Sequence, residues 1–117
     1  MYKRQVQDNV YELVKLVGSG EGRLKKGSNE VTKAAERGTA QMIVMAENVN
    51  PAELLAHVPL ICKEKSIPFI YVEDQAYLAE AAGMTSGAKT AAIALMEISK
   101  GAQEAFNGVK EQADALN

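Results

Sequence analysis

The sequence predicts a three-layer α/β/α sandwich on a small mixed sheet of four strands, and three observations predict it. Apolar runs of strand length alternate along the chain with segments of helical periodicity. The runs at residues 42–46 and 67–72 are apolar throughout instead of alternating, the pattern of strands covered on both faces. No repeat, low-complexity tract or linker interrupts the succession, so the 117 residues are expected to form one domain, long enough to bury a core without metals or disulfides.

Taken in order, Val6, Val10, Leu13, Val14 and Val17 recur at helical spacing and predict a first helix over about residues 8–17, with Asp8 as its cap. Gly18-Ser19-Gly20-Glu21-Gly22 is expected to be a loop, and Leu24 to sit in a very short strand. A second helix is expected from Ser28 to Arg37, stopped by Gly38, with Val31, Ala34 and Ala35 on its apolar side. Met42 to Ala46 reads as a buried strand. Pro51 is expected to open a third helix over 52–58, and Pro59 a further one through Lys65. Ile67 to Val72 reads as the next strand, and Asp74 or Glu73 as the cap of a helix from Gln75 to Ala82 that Gly83 ends. Ala91 to Leu95 reads as the last strand. Ala102, Ala105, Phe106, Val109, Ala113 and Leu116 mark a C-terminal helix.

Composition narrows the function. One cysteine, Cys62, excludes an internal disulfide and suits a reducing cytoplasm, the expected location; no apolar run approaches the roughly 20 residues that span a bilayer, so no membrane partner is expected. The net charge of −2 argues against coating nucleic acid nonspecifically. Its distribution matters more, because Arg23, Lys25, Lys26, Lys33 and Arg37 cluster against only Glu30 and Glu36, while the C-terminal segment is acidic. Catalysis lacks a constellation: His57 stands among apolar residues with no partner marked by a motif, and Cys62 has no histidine at metal spacing, so neither a metal nor any other cofactor is expected. Gly18 to Gly22 follows a helix, and Gly83 to Thr90 leaves a helix and enters a strand, whereas dinucleotide and phosphate-binding loops join a strand to a helix.

What remains is the stretch Lys25 to Lys33, where two cations, a glycine and Ser28-Asn29-Glu30 precede a third cation one turn into a helix. A capping box accounts for Ser28 or Asn29. It does not account for Lys25, Lys26 and Gly27 upstream, for Lys33 on the same side, or for a second loop of small residues from Ala82 to Thr90. An Asn-Glu pair suits a guanine edge: the carboxylate accepts from ring and exocyclic N–H groups, the amide donates to O6, and nearby lysines fix the register on phosphates.

Gly27-Ser28-Asn29-Glu30-Val31-Thr32-Lys33, Glu36-Arg37-Gly38, Ile43 through Pro51, His57 through Lys65 and Ile67 through Val72, followed by Ala82-Gly83, together resemble the archaeal large-subunit ribosomal protein seven-Ae family over about residues 24–98. The resemblance implies an α/β/α sandwich that binds kink-turns, sharply bent RNA duplexes with sheared G·A pairs beside a three-nucleotide bulge. It implies that Asn29, Glu30 and Lys33 contact the guanines, that Lys26 and Gly27 meet the backbone, and that Asn50 with Glu47 helps recognise the bulge; Lys25 and Arg37 join the expected RNA-binding residues through the basic cluster. Met84, Thr85, Ser86, Gly87 and Ala88 match the loop that packs on the extruded nucleotide. Implied partners are kink-turns in ribosomal RNA, the large ribosomal subunit, box C/D and H/ACA guide RNAs with their core proteins, and ribonuclease P RNA. The alternative is a protein-interaction adaptor on the same fold without specific RNA binding, as in the stress-response relatives.

Overall fold

A computed structural model describes residues 4–20, 22–48, 55–84 and 87–116. The elements run α1 (Arg4–Gly18), β1 (Gly22–Lys26), α2 (Ser28–Arg37), β2 (Met42–Ala46), α3 (Val58–Lys65), β3 (Phe69–Val72), α4 (Gln75–Ala81), β4 (Ala92–Ile98) and α5 (Lys100–Leu116). The four strands form one sheet in the order β1-β4-β2-β3. Strand β4 runs antiparallel to both β1 and β2, and β3 parallel to β2, so β1, β2 and β3 all end where β4 begins. Helices α1, α4 and α5 pack together on one side and α2 and α3 on the other, giving the three expected layers.

Every residue of β2 is buried, as its unbroken apolar run requires of a strand between two helical layers. Helix α2 presents Val31, Ala34 and Ala35 to the core, and residues this small let the helix lie close against the sheet. Helix α1 buries Val10, Leu13, Val14 and Val17, and α5 buries Ala102, Phe106, Val109 and Ala113, both at the three-and-four spacing of one helix face. Each large side chain withdrawn from water contributes about 1.5–3 kcal/mol, which is why the apolar faces, more than local propensity, hold these helices in place.

Several boundaries differ from the sequence reading. Helix α1 begins at Arg4, so Asp8 lies inside it and is not its cap. The glycine loop is shorter than expected, because Gly18 closes α1 and Gly22 already belongs to β1, paired with Ile98. A Cβ on Gly22 would lie 2.1 Å from the Glu97 carbonyl oxygen, and only glycine permits that approach beside the register shift at Arg23/Leu24. Leu24 is therefore the centre of an edge strand, as expected, and that strand runs to five residues. Strand β3 starts at Phe69 instead of Ile67: Pro68 gives its carbonyl to Ile43 but has no N–H to complete the pair. Strand β4 runs from Ala92 to Ile98, past the expected Leu95, because β1 pairs along its whole length. Of the helix expected over 52–58, residues 52–54 lie outside the described residues, 55–57 form a turn, and Val58 opens α3 with Pro59 in its first turn.

Candidate nucleic-acid interface

The strand directions bring four connections to one end of the sheet: the β1–α2 junction, the exit of β2, the β3–α4 junction and the loop from α4 to β4. Gly27 makes the first junction. Its φ of 98° and ψ of 149° turn the chain out of β1 and into α2, in a region that essentially only glycine occupies. Its N–H donates to the Ala92 carbonyl at 3.0 Å and its carbonyl accepts from Val31, so one residue ends the sheet pairing and starts the helix.

Gly27 is also the residue that caps α2, and no side chain caps it. The capping box that could have accounted for Ser28 or Asn29 is not formed. The amides of residues 28–30 precede the first helical hydrogen bond, and the positive end of the helix is left facing outward. Asn29, Glu30 and Lys33 are exposed on the first two turns, three and four residues apart, and so share a face. Glu30 meets Lys25 at 3.7 Å with both side chains about half exposed. A pair that exposed is worth about 0–1 kcal/mol, so a better partner displaces it at little cost. Lys25 and Lys26 are exposed at the end of β1. Arg37 is set apart, in the last turn of α2, a helix about 15 Å long, and so belongs to the opposite end of the sheet from Asn29.

The loop after α4 adjoins this helix start through Ala92, whose carbonyl accepts from both Gly27 N–H and the Thr90 hydroxyl. Thr90 is buried, and its amide donates to the Gln75 carbonyl, which ties the loop back to the start of α4. Met84 is half-buried against the core, Gly87 is exposed and Ala88 half-buried; Thr85 and Ser86 lie outside the described residues. The stretch 83–90 leaves a helix and enters a strand, as the sequence indicated, so it lacks the strand-to-helix setting of a phosphate-binding loop.

Glu47 is exposed at the exit of β2, its amide bonded to the Val72 carbonyl, whereas Asn50 lies outside the described residues. Sequence reasoning missed Asn48, which organises this corner. Its Oδ1 accepts from the Gln75 amide at 2.8 Å, its Nδ2 donates to Asp74 Oδ1 at 3.3 Å, and its carbonyl accepts from Gln75 Nε2 at 3.1 Å. Asp74 Oδ1 in turn accepts from the Ala76 amide at 2.9 Å and caps α4. The Glu73 and Asp74 amides donate to Gln7 Oε1 and the Tyr11 hydroxyl. Burial raises the Tyr11 pKa, and the negative Asp74 and Glu73 add to it, so the phenol stays protonated. An asparagine two residues after a buried strand was the available signal for this clamp.

His57 is exposed, and its Nε2 lies 3.5 Å from the Thr32 hydroxyl. Cys62 is buried, and desolvation pushes its thiol up to about 11, which leaves it protonated and inert at neutral pH. No group of three or more potential metal ligands occurs among the described residues, and no described helix is long and apolar enough to cross a membrane.

A family model described as "Ribosomal protein L7Ae/L30e/S12e/Gadd45 family" matches residues 8–112. Among solved structures, the chain is similar to the Giardia lamblia 15.5kD RNA binding protein, with a TM-score of 0.90 at 22% identity, over 100% of this chain and 94% of that one. At that identity the likeness is one of fold.

Proposed function

The chain belongs to the ribosomal protein L7Ae/L30e/S12e/Gadd45 family, and from that premise we propose that it is a non-enzymatic RNA-binding protein whose α2 start reads kink-turns. The observation that carries the reading is the uncapped first turn of α2, with Asn29, Glu30 and Lys33 exposed on one face beside the Ala92-anchored loop. A helix start capped by glycine in place of a polar side chain gives up only about a few tenths of a kcal/mol, and leaves donors and acceptors for a ligand.

In this reading the Glu30 carboxylate accepts from the N1–H and N2–H of a guanine that is not Watson–Crick paired. Asn29 donates to O6 or a neighbouring edge, and Lys25, Lys26 and Lys33 neutralise phosphates. Glu47 and the loop from Met84 to Ala88 flank the bulge. Such edges are accessible only when the duplex is bent and its bases sheared, so a protein that binds only that form shifts the RNA population toward it. Kink-turns in ribosomal RNA, in box C/D and H/ACA guide RNAs and in ribonuclease P RNA, with their core proteins, are the proposed partners, and the cytoplasm the proposed location. The family's breadth keeps one rival open, a protein adaptor on the same fold.

A gel-shift comparison of a kink-turn with the same RNA carrying Watson–Crick pairs in place of its sheared G·A pairs separates the two. The expected result is binding of the kink-turn at least about tenfold tighter. Equal binding defeats the kink-turn reading, and binding of neither favours the adaptor.

A further inference from the structure

A single path of hydrogen bonds crosses the four connections at the site's end of the sheet. Asn48 Oδ1 accepts from the Gln75 amide at 2.8 Å. The Gln75 carbonyl accepts from the Thr90 amide at 3.3 Å, and the Thr90 hydroxyl donates to the Ala92 carbonyl at 3.0 Å. That same carbonyl takes the Gly27 amide at 3.0 Å, one residue before α2 begins. The exit of β2, the β3–α4 junction, the loop before β4 and the β1–α2 junction are thereby tied in series.

Asn48 is the first member of the path, and two further bonds fix it, from its Nδ2 to Asp74 Oδ1 and from Gln75 Nε2 to its carbonyl. The paired residues of β2 end at Ala46, and among the described residues the backbone-to-backbone bonds of this exit stop at Glu47, whose amide binds the Val72 carbonyl. Beyond that point the Asn48 side chain sets the course of the chain. Asn48 is exposed, where bonds within the protein replace bonds to water at little net gain, so its effect falls on geometry more than on stability.

We propose that Asn48 is a positioning residue for RNA: it holds Glu47 and the loop before β4 at a fixed distance from the guanine-reading face of α2, and so sets the size of bulge that the site accepts. The inference rests on the kink-turn reading and adds to it the determinant of bulge size. A flank ordered before binding lets the correct RNA bind without that ordering cost, and it cannot move to suit a wrong one. Released at Asn48, the flank shifts for a larger bulge while the α2 contacts stay as they were.

The test reads a ratio by gel shift: affinity for a kink-turn with three bulged nucleotides over affinity for the same RNA with two nucleotides added to the bulge. A variant that is merely less stable lowers both affinities by its folded fraction and leaves the ratio alone. The parent is expected to favour the shorter bulge at least about tenfold. Asn48→Ala is expected to cut that preference at least about fivefold, with affinity for the correct RNA falling about threefold or less and the preference for sheared over Watson–Crick pairs retained. Thr90→Val breaks the path at its Ala92 link with little change of size, and is expected to cut the bulge preference likewise. The double variant should lose no more than the larger single loss, because both residues act in one network. Val109→Ala, which opens space beneath α5, is expected to lower Tm and keep the parent's ratio. Equal binding of sheared and Watson–Crick RNA by the parent defeats the kink-turn reading, and this inference falls with it. Where the parent makes that distinction, any of three results overturns this inference alone: no bulge preference in the parent, the parent's preference kept by Asn48→Ala, or an equal loss in Val109→Ala. Losses that add in the double variant overturn the path as their common cause.

Discussion

Helices α2 and α4 begin at the same end of the sheet and finish their first turns in opposite ways. At α4 the first turn is tied down from within the chain: Asp74 caps the helix, Asn48 binds both Asp74 and the Gln75 amide, and Thr90 closes on the Gln75 carbonyl. At α2 the capping residue is a glycine without a side chain, and among the described residues the side chains of Asn29, Glu30 and Lys33 share one partner, Lys25, in a weak ion pair with Glu30. A helix start stabilised from within the chain serves as scaffold. One left incomplete keeps its donors and acceptors for something outside, held in position by the neighbour that was completed.

The difference can be broken from either side. Glu30→Ala and Asn29→Ala are expected to have the largest effect on RNA, weakening a kink-turn by about 10- to 100-fold. The thermal midpoint should scarcely move, because both residues are exposed and neither caps the helix; calorimetry beside a gel shift checks the pair of outcomes. Gly27→Ala acts on the open start through its backbone. The space around a Cβ is free but φ is 98°, so the substitution should cost about 1–3 kcal/mol of stability, measured by urea unfolding.

Asp74→Ala breaks the closed start instead. It should cost about 0.5–2 kcal/mol by the same unfolding measurement, with kink-turn affinity falling far less than for Glu30→Ala. If the two variants affected RNA equally, the division between scaffold and reader would be wrong. The smallest effect is expected from Lys25→Ala, a loss of about threefold in affinity with the salt slope of log K reduced by about 1, read from binding at several salt concentrations.

The parts of the fold that local chemistry dictates were legible in the residues. Helix α2 falls between Gly27 and Gly38 as read, and β2 coincides with Met42 to Ala46, because a helix bounded by glycines and a wholly apolar run each carry their own signal. What escaped was non-local. A very short strand was expected at Leu24, but the full length of β1, Gly-Arg-Leu-Lys-Lys, is set by pairing with β4, which in turn extends β4 to Ile98. The site was half legible. Residue types singled out Asn29, Glu30 and Lys33 as candidates, but not that Gly27 would take the capping position and leave the three exposed. Arg37 shared their charge cluster in sequence, and the rise of the helix carries it to the far end. Asn48 and Gln75 are 27 residues apart in the chain, and only the parallel pairing of β2 with β3 shows that they meet.

The hydrogen bond from the Gly27 amide to the Ala92 carbonyl has a mechanical consequence. It joins the last residue before α2 to the first residue of β4 across a continuous sheet, so the jaws on either side cannot be spread without unzipping a ladder. The molecule works as a calliper set to one width. A guest of the right gauge seats on both jaws at once, and one slightly too broad loses a whole jaw, so discrimination by shape should rise steeply over a small change in dimension.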